Sequence, residues 1–241
     1  MTANARAPRP GVVSRDEWLA ARKALLAKEK AFTRRRDELS AERRTLPWVR
    51  VEQQYVFDTV GGKETLADLF AGRSQLVVYH FMYGPDWGDG CKSCSFWADN
   101  FDGIVVHLAH RDVTMLAISR APLATLAAFK RRMGWRFKWV SSYGNDFNRD
   151  FHVSFTPAEL AQGAVDYNYE RRKFPSDEAP GISVFAKDEQ GGVFHTYSCY
   201  ARGLDMLNGA YHYLDLVPKG RDEAGLPSSM AWLRHHDRYE D

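Results

Sequence analysis

Residues 75–101, QLVVYHFMYGPDWGDGCKSCSFWADNF, constrain the fold more than any other stretch of this chain. Leu76, Val77, Val78, Tyr79, His80, Phe81 and Met82 form an apolar run rich in β-branched and aromatic side chains, which predicts a buried strand over 75–83. Gly84-Pro85-Asp86 ends it, and Gly88 and Gly90 mark a turn before Cys91-Lys92-Ser93-Cys94 opens a helix. A dithiol needs this arrangement. The first sulfur meets unpaired backbone N–H groups and the positive end of the helix dipole, both of which favour a thiolate. The second lies close enough to close a disulfide onto it.

The segments that follow repeat the strand–helix alternation. After the cysteines the pattern predicts a helix to about His110, with Asp102-Gly103 as a place where it could break. Val113–Ser119 is a second buried strand, Pro122–Met133 a helix with Leu123, Leu126 and Phe129 on one face, and Phe137–Ser141 a further short strand. Apolar strands alternating with helices predict an α/β fold with a parallel sheet covered on both faces. Upstream, Trp48–Glu52 and Tyr55–Val60 read as short strands, Gly61-Gly62 as a turn, and Leu66–Phe70 as a short helix or turn. Residues 143–179 are aromatic, polar and poorly periodic, which suggests a lid or an insertion. Ser183–Ala186 and Val193–Tyr200 form a hairpin around Asp188–Gly192. Leu204, Leu207, Tyr211 and Leu214 then mark a closing helix.

The chain has 241 residues, enough for a sizeable core. Its N-terminal part, 1–46, reads as a short disordered lead (1–13) and a long helix over 15–44. Residues 47–241 form the main domain. Ser14 and Glu17 fit a capping box, and Val13 and Trp18 a hydrophobic staple. Trp18, Leu25, Phe32 and Leu39 recur every seven residues, a narrow apolar stripe that docks either on the domain or on a second subunit, and a homodimer through this helix is the expectation. Acidic residues interleave with Arg34-Arg35-Arg36, and the net charge is only +2, so no nucleic-acid partner is expected. No window is apolar enough for a membrane span, and the N-terminal residues lack the apolar core of a secretory signal. Three cysteines are a low, odd count that excludes a disulfide framework and points to a cytoplasmic protein.

The predicted chemistry is thiol–disulfide exchange. Cys91, beside cationic Lys92, attacks the disulfide of a protein or small-molecule partner, and Cys94 resolves the mixed disulfide. Asp86 or Asp89 could carry a proton for Cys94, although acids beside glycines are commonly turn formers. Trp87 is a substrate platform or a packed loop residue. The rival is zinc, because Cys91, Cys94, His107 and His110 approach a Cys2His2 spacing. One helix over 94–110 would hold His107 on the order of 20 Å from Cys94, however, and the hairpin of a zinc finger is missing. His107 and His110 then read as helix-surface residues, so no metal and no cofactor is expected. Cys199 reads as a buried small hydrophobe, with a third redox role as the alternative. His235-His236-Asp237 is either a metal site or a polar tail folded back on the domain.

The cysteine pair after a buried strand, the element order and Pro180-Gly181-Ile182-Ser183-Val184-Phe185 resemble the thioredoxin-like superfamily. Tyr55–Phe70 is similar to the entry segment of its peroxiredoxin-related branch. That resemblance implies a central mixed sheet flanked by helices, with a cis-proline at Pro180 facing the dithiol. More narrowly, the chain resembles the DUF899 family of predicted dithiol–disulfide oxidoreductases. The residues that carry this are Val13-Ser14-Arg15-Asp16-Glu17-Trp18, Phe81-Met82-Tyr83-Gly84, the Cys91–Cys94 segment, Tyr200–Asp205 and Arg234–Tyr239. Two departures stand out. Thioredoxins place Trp directly before the first cysteine, whereas Trp87 lies four positions earlier. Peroxiredoxins need Thr or Ser three residues before their reactive cysteine, where this chain has Gly88. A binding or structural module without redox turnover, and a thiol-dependent peroxide reductase, are the alternatives.

Overall fold

A computed structural model describes residues 11–240, so most of the expected N-terminal lead lies outside the described residues. The chain divides after Pro47 into two compact units. The first is α1 (Arg15–Arg44), which begins where the capping box predicts. The Ser14 hydroxyl accepts the Glu17 N–H, and the Glu17 carboxylate accepts the Ser14 N–H at 2.9 Å. No residue of α1 is buried, and Trp18, Leu25, Phe32 and Leu39 are all exposed.

The second unit opens with three short strands, β1 (Val49–Arg50), β2 (Val56–Thr59) and β3 (Gly62–Thr65), and a 3-10 turn at Asp68–Phe70. The centre follows as β4 (Gln75–His80), α2 (Lys92–Ala98), α3 (Val105–Ala109), β5 (Val113–Ser119), α4 (Leu123–Arg132) and β6 (Trp139–Ser141). Next come α5 (Phe147–Asp150), α6 (Pro157–Ala161), β7 (Val165–Tyr167) and β8 (Glu170–Arg172). The chain closes with β9 (Gly181–Lys187), β10 (Val193–Tyr200), a 3-10 segment (Ala201–Leu207), α7 (Gly209–Leu214) and a 3-10 turn at His236–Arg238.

Among the described residues the main sheet has eight strands in the order β1-β10-β9-β4-β5-β6-β2-β3. β4, β5 and β6 are mutually parallel, and β9 and β10 add to the other edge of β4 in antiparallel register. A β–α–β unit with an antiparallel hairpin on its first strand and a closing helix is the thioredoxin-like fold, as expected. The period of two in β4 divides the interior. Tyr79 and the following Phe81 join one core with Cys94, Trp97, Phe129 and Trp139, whereas Leu76 and Val78 join another with Phe57, Leu116, Phe147 and Phe185. β4 is therefore buried on both faces, and the cysteine pair belongs to the first.

Four elements differ from the sequence reading, each for a local reason. The helix after the cysteines breaks into α2 and α3. The Asn100 amide donates to the Phe96 carbonyl at 3.0 Å, and the Asp102 carboxylate accepts the N–H groups of Arg136 and Phe137 at 2.8 and 2.7 Å. Residues 143–179 are ordered rather than irregular, with a small core of Val153, Phe155, Val165, Tyr167, Ala179 and Tyr200. Their β7–β8 hairpin turns at Asn168 and Tyr169, both left-handed with φ of 56° and 63°. Such a turn usually advertises itself by a glycine, which is missing here. The closing helix begins only at Gly209, where the buried Asn208 side chain accepts the Tyr211 N–H at 3.1 Å. No peptide bond among the described residues is cis, so Pro180 is trans, contrary to the resemblance.

Gly181 opens β9 opposite Tyr200, and a Cβ there would stand 2.6 Å from the Tyr200 ring. That ring cannot step aside cheaply, because its hydroxyl donates to the Phe151 carbonyl at 3.1 Å. Gly181→Ala should cost about 1–3 kcal/mol in urea unfolding. Gly88→Ala, whose Cβ would meet nothing within 4 Å, should change stability by less than about 0.5 kcal/mol.

Candidate active site

The loop from β4 to α2 is shaped by packing on its glycines. Past the end of β4 the chain stays paired with β5, through the Phe81 N–H to the Ile118 carbonyl at 2.9 Å and the Ser119 hydroxyl to the Phe81 carbonyl at 2.6 Å. The Trp87 indole then folds over Gly84, where a Cβ would lie 2.8 Å from Nε1. Gly90 sits against Phe81 and Phe129, with a Cβ position 3.0 and 3.1 Å from their rings. The Cys91 N–H returns to the Met82 carbonyl at 3.1 Å, which closes the loop and leaves Cys91 as the residue before α2.

The two sulfurs differ in environment. Cys91 is half-buried, whereas Cys94, in the first turn of α2, is 1% exposed. A thiolate on Cys91 is favoured first by the neighbouring Cys94 thiol and then by the backbone N–H groups of Cys94 and Ser93 and the Ser93 hydroxyl. Together these outweigh partial burial and bring the Cys91 pKa down to about 7. Burial, and then the neighbouring Cys91, push the Cys94 thiol well up. One more donor reaches Cys94, the Met82 N–H at 3.4 Å from Sγ. The Tyr79 hydroxyl also faces this sulfur; it is fully buried and completes no hydrogen bond.

The C-terminal residues, read from sequence as a polar tail, fold back onto this loop. His235 is buried, packs edge-on against Phe129, and makes a 2.8 Å hydrogen bond from Nε2 to the Gly90 carbonyl. Its Nδ1 lies 3.2 Å from the Arg132 guanidinium. Arginine can only donate and a carbonyl can only accept, so this geometry requires a neutral ring with its proton on Nε2. Arg132 also grips Asp237 at 2.8 Å and Asp89 at 2.7 Å, and Arg238 holds the other Asp89 oxygen at 2.9 Å. Lys92 donates to the Ala231 carbonyl at 3.4 Å, and His236 meets Asp99 at 2.7 Å.

The remaining sequence-predicted residues surround the loop in different ways. Asp86 is exposed at its outer turn. The Trp87 Nε1–H donates to Asp177 at 3.2 Å, which ties the loop to the segment before β9. The neighbouring Glu178 is buried against Arg120 and Ser154, and burial pushes its pKa up to about 7. Gly181 pairs with His80, which puts Pro180 beside the C-terminal end of β4, where its carbonyl accepts the Tyr167 hydroxyl at 2.7 Å. Cys199 is buried in the same core as Cys94. His107 and His110 are exposed on and just after α3, and no group of three or more His, Cys, Asp or Glu among the described residues could hold a metal ion. His80 lies on the opposite face of β4, hydrogen-bonded to Ser183 at 2.8 Å, and burial lowers its pKa to about 3.

Sequence reasoning missed Tyr79, Arg132 and His235 as parts of this site. Only His235 carried a hint, in the His-His-Asp run near the C-terminus. Replacing it by Phe keeps the packing on Phe129 but strands the buried Gly90 carbonyl. His235→Phe should therefore lose about 1–3 kcal/mol in urea unfolding, whereas His235→Gln, which can both donate and accept, should recover part of that loss.

No curated protein matches this sequence. Among solved structures, a cysteine-to-serine mutant of Xanthomonas campestris peroxiredoxin Q is 16% identical and aligns over 66% of this chain and 90% of that one, with a TM-score of 0.42. The peroxidoxin BcpB of Mycobacterium tuberculosis is 12% identical over 67% of this chain and 93% of its own, with a TM-score of 0.44. A Chlorobium tepidum chain assigned as a thiol:disulfide interchange protein DsbE is 11% identical over 68% and 96%, with a TM-score of 0.39. The family model described as "Bacterial protein of unknown function (DUF899)" matches residues 7–239, nearly the whole sequence. The chain belongs to the DUF899 family.

Proposed function

We propose that this protein is a thiol–disulfide oxidoreductase in which Cys91 is the nucleophile and Cys94 the resolving thiol. The observation that carries the reading is the placement of the pair, with Cys91 half-buried immediately before α2 and Cys94 buried in its first turn. The neighbouring Cys94 thiol and the backbone N–H groups at the start of α2 lower the Cys91 pKa to about 7. Roughly half of Cys91 is then thiolate at neutral pH, against a few per cent for an ordinary cysteine. A pKa near ambient pH is also close to the optimum for exchange, because nucleophilicity falls as the thiolate is stabilised further.

The Cys91 thiolate attacks one sulfur of a partner disulfide and expels the other as a thiolate. Cys94, having lost its proton to solvent, attacks the Cys91 sulfur of the mixed disulfide and expels the second partner thiolate. The partner gains two electrons, and the Cys91–Cys94 pair is left as a disulfide. Residues three apart in the first turn of a helix are neighbours, so the ring can close without a large movement. Thioredoxin-like topology and the position of the pair at the start of α2 support the same reading.

In this reading Trp87 and Pro180 border the partner's path. Asp89 is a clamp for the loop, held by Arg132 and Arg238, and Asp86 is the carboxylate that solvent reaches. Partners are proteins or small molecules carrying a thiol or disulfide. A cytoplasmic setting suits three cysteines that form no disulfide framework. No helix among the described residues is long and apolar enough to cross a membrane. The apolar stripe of α1 supports a homodimer through the N-terminal helix, with 1–46 and 47–241 as separate parts of the chain. Sedimentation velocity should show a dimer, and Phe32→Glu should convert it to monomer.

Alkylation of Cys91 by iodoacetamide, followed by mass spectrometry as a function of pH, tests the central reading. The rate should rise through a midpoint near pH 7, since only the deprotonated form reacts. Cys94→Ala should move that midpoint up toward about 8.5, the value of an ordinary thiol. In glutathione redox buffers Cys91 and Cys94 should interconvert reversibly between dithiol and disulfide. A wild-type Cys91 that reacts at pH 7 no faster than an ordinary thiol would refute the assignment.

A further inference from the structure

A hydroxyl that is fully buried and bonded to nothing is costly, and Tyr79 carries one in the centre of the sheet. The phenol stands on β4 in the same core as Cys94, and the Cys94 sulfur is the group its hydroxyl meets. In the resting protein that sulfur is a neutral thiol, because burial and then the neighbouring Cys91 push its pKa well up. A neutral thiol is a poor acceptor, so the phenol has little to gain from it. Once Cys91 is bound to a partner sulfur, Cys94 must become a thiolate in an apolar core. The Met82 N–H, 3.4 Å away, is then one donor and the Tyr79 O–H the second.

We propose that Tyr79 is a catalytic residue of the resolving step: its hydroxyl donates a hydrogen bond to the Cys94 thiolate as that thiolate forms. The inference rests on the oxidoreductase reading above. The phenol is a donor here and never a base. It cannot take the Cys94 proton, which leaves to solvent, and the expelled partner thiolate later takes up a proton in turn. Tyr167 also lies near Cys94, but its hydroxyl is committed, donating to the Pro180 carbonyl at 2.7 Å and accepting the Ala201 N–H at 3.0 Å. Asp89 is held by two arginines and Asp86 is exposed, so neither carboxylate serves Cys94 in this step.

The test uses 5,5′-dithiobis(2-nitrobenzoate) on the full chain carrying Cys199→Ser, so that each chromophore released reports one step. Attack by Cys91 releases the first nitrothiobenzoate and resolution by Cys94 the second. In Tyr79→Phe the first release should keep its rate within about twofold, because Cys91 is untouched. Loss of a hydrogen bond to a charged sulfur makes the thiolate rarer by about ten- to a hundredfold. The rarer thiolate is a stronger nucleophile and recovers about half of that on a logarithmic scale. The second release should thus slow about three- to tenfold at pH 7, and its rate profile should move to higher pH. The urea midpoint of Tyr79→Phe should stay the same or rise, since an unsatisfied hydroxyl is removed. An unchanged second release, or a slowed one accompanied by lost stability, would overturn the role of Tyr79 and leave the dithiol reading standing. A wild-type protein that shows no second release would overturn both.

Discussion

A thiol buried in the first turn of a helix cannot hold a charge at ordinary cost, and the chemistry proposed for this protein follows from that constraint. Cys94 is shut into the core formed by Trp97, Phe101 and Tyr79, so its proton stays on sulfur. A protonated thiol there favours a thiolate on the neighbouring, half-buried Cys91 sulfur. Burial of one cysteine thereby becomes acidity in the other. The pair is asymmetric before any partner arrives. Backbone N–H groups at the start of α2 add to the effect, whereas the Lys92 ammonium is directed to the Ala231 carbonyl.

Such an arrangement works only if the loop that carries Cys91 holds still, and a loop with Gly84, Gly88 and Gly90 has little stiffness of its own. Its order comes from outside. Aromatic rings fill the space that side chains would take at Gly84 and Gly90, and the C-terminal tail closes over the loop. Exposed ion pairs are individually worth little. Here Arg132 joins Asp89, Asp237 and His235 in one network, and His235 is buried with both ring nitrogens engaged. That combination ties Gly90, the residue before Cys91, to the C-terminal residues. The segment before β9 does the same from another direction, through Asp177 and the Trp87 indole.

Much of the framework is legible in short windows of sequence, and the failures have physical causes. α1 begins at Arg15 because its capping box lies within four residues, and β4, β5 and the β9–β10 hairpin follow from local apolarity. The break between α2 and α3 was legible only as an option. What decides it is the Asp102 carboxylate meeting backbone N–H groups 34 and 35 residues further on. The β7–β8 hairpin escaped because Asn168-Tyr169 turns left-handed without a glycine. The placement of Cys91 and Cys94 at the strand-to-helix junction was legible, but which of the two would lie buried was not.

By itself the sequence determined the α/β class, the dithiol and its delivery from a strand to a helix, since each depends on neighbours a few residues apart. Only the tertiary structure decided that Cys94 lies buried while Cys91 does not, that Tyr79 shares the Cys94 core with its hydroxyl unpartnered, and that His235 holds Gly90 from 145 positions away. Burial and contacts between distant segments set those features. They exist only once the sheet has brought both ends of the domain together, so no local pattern can announce them.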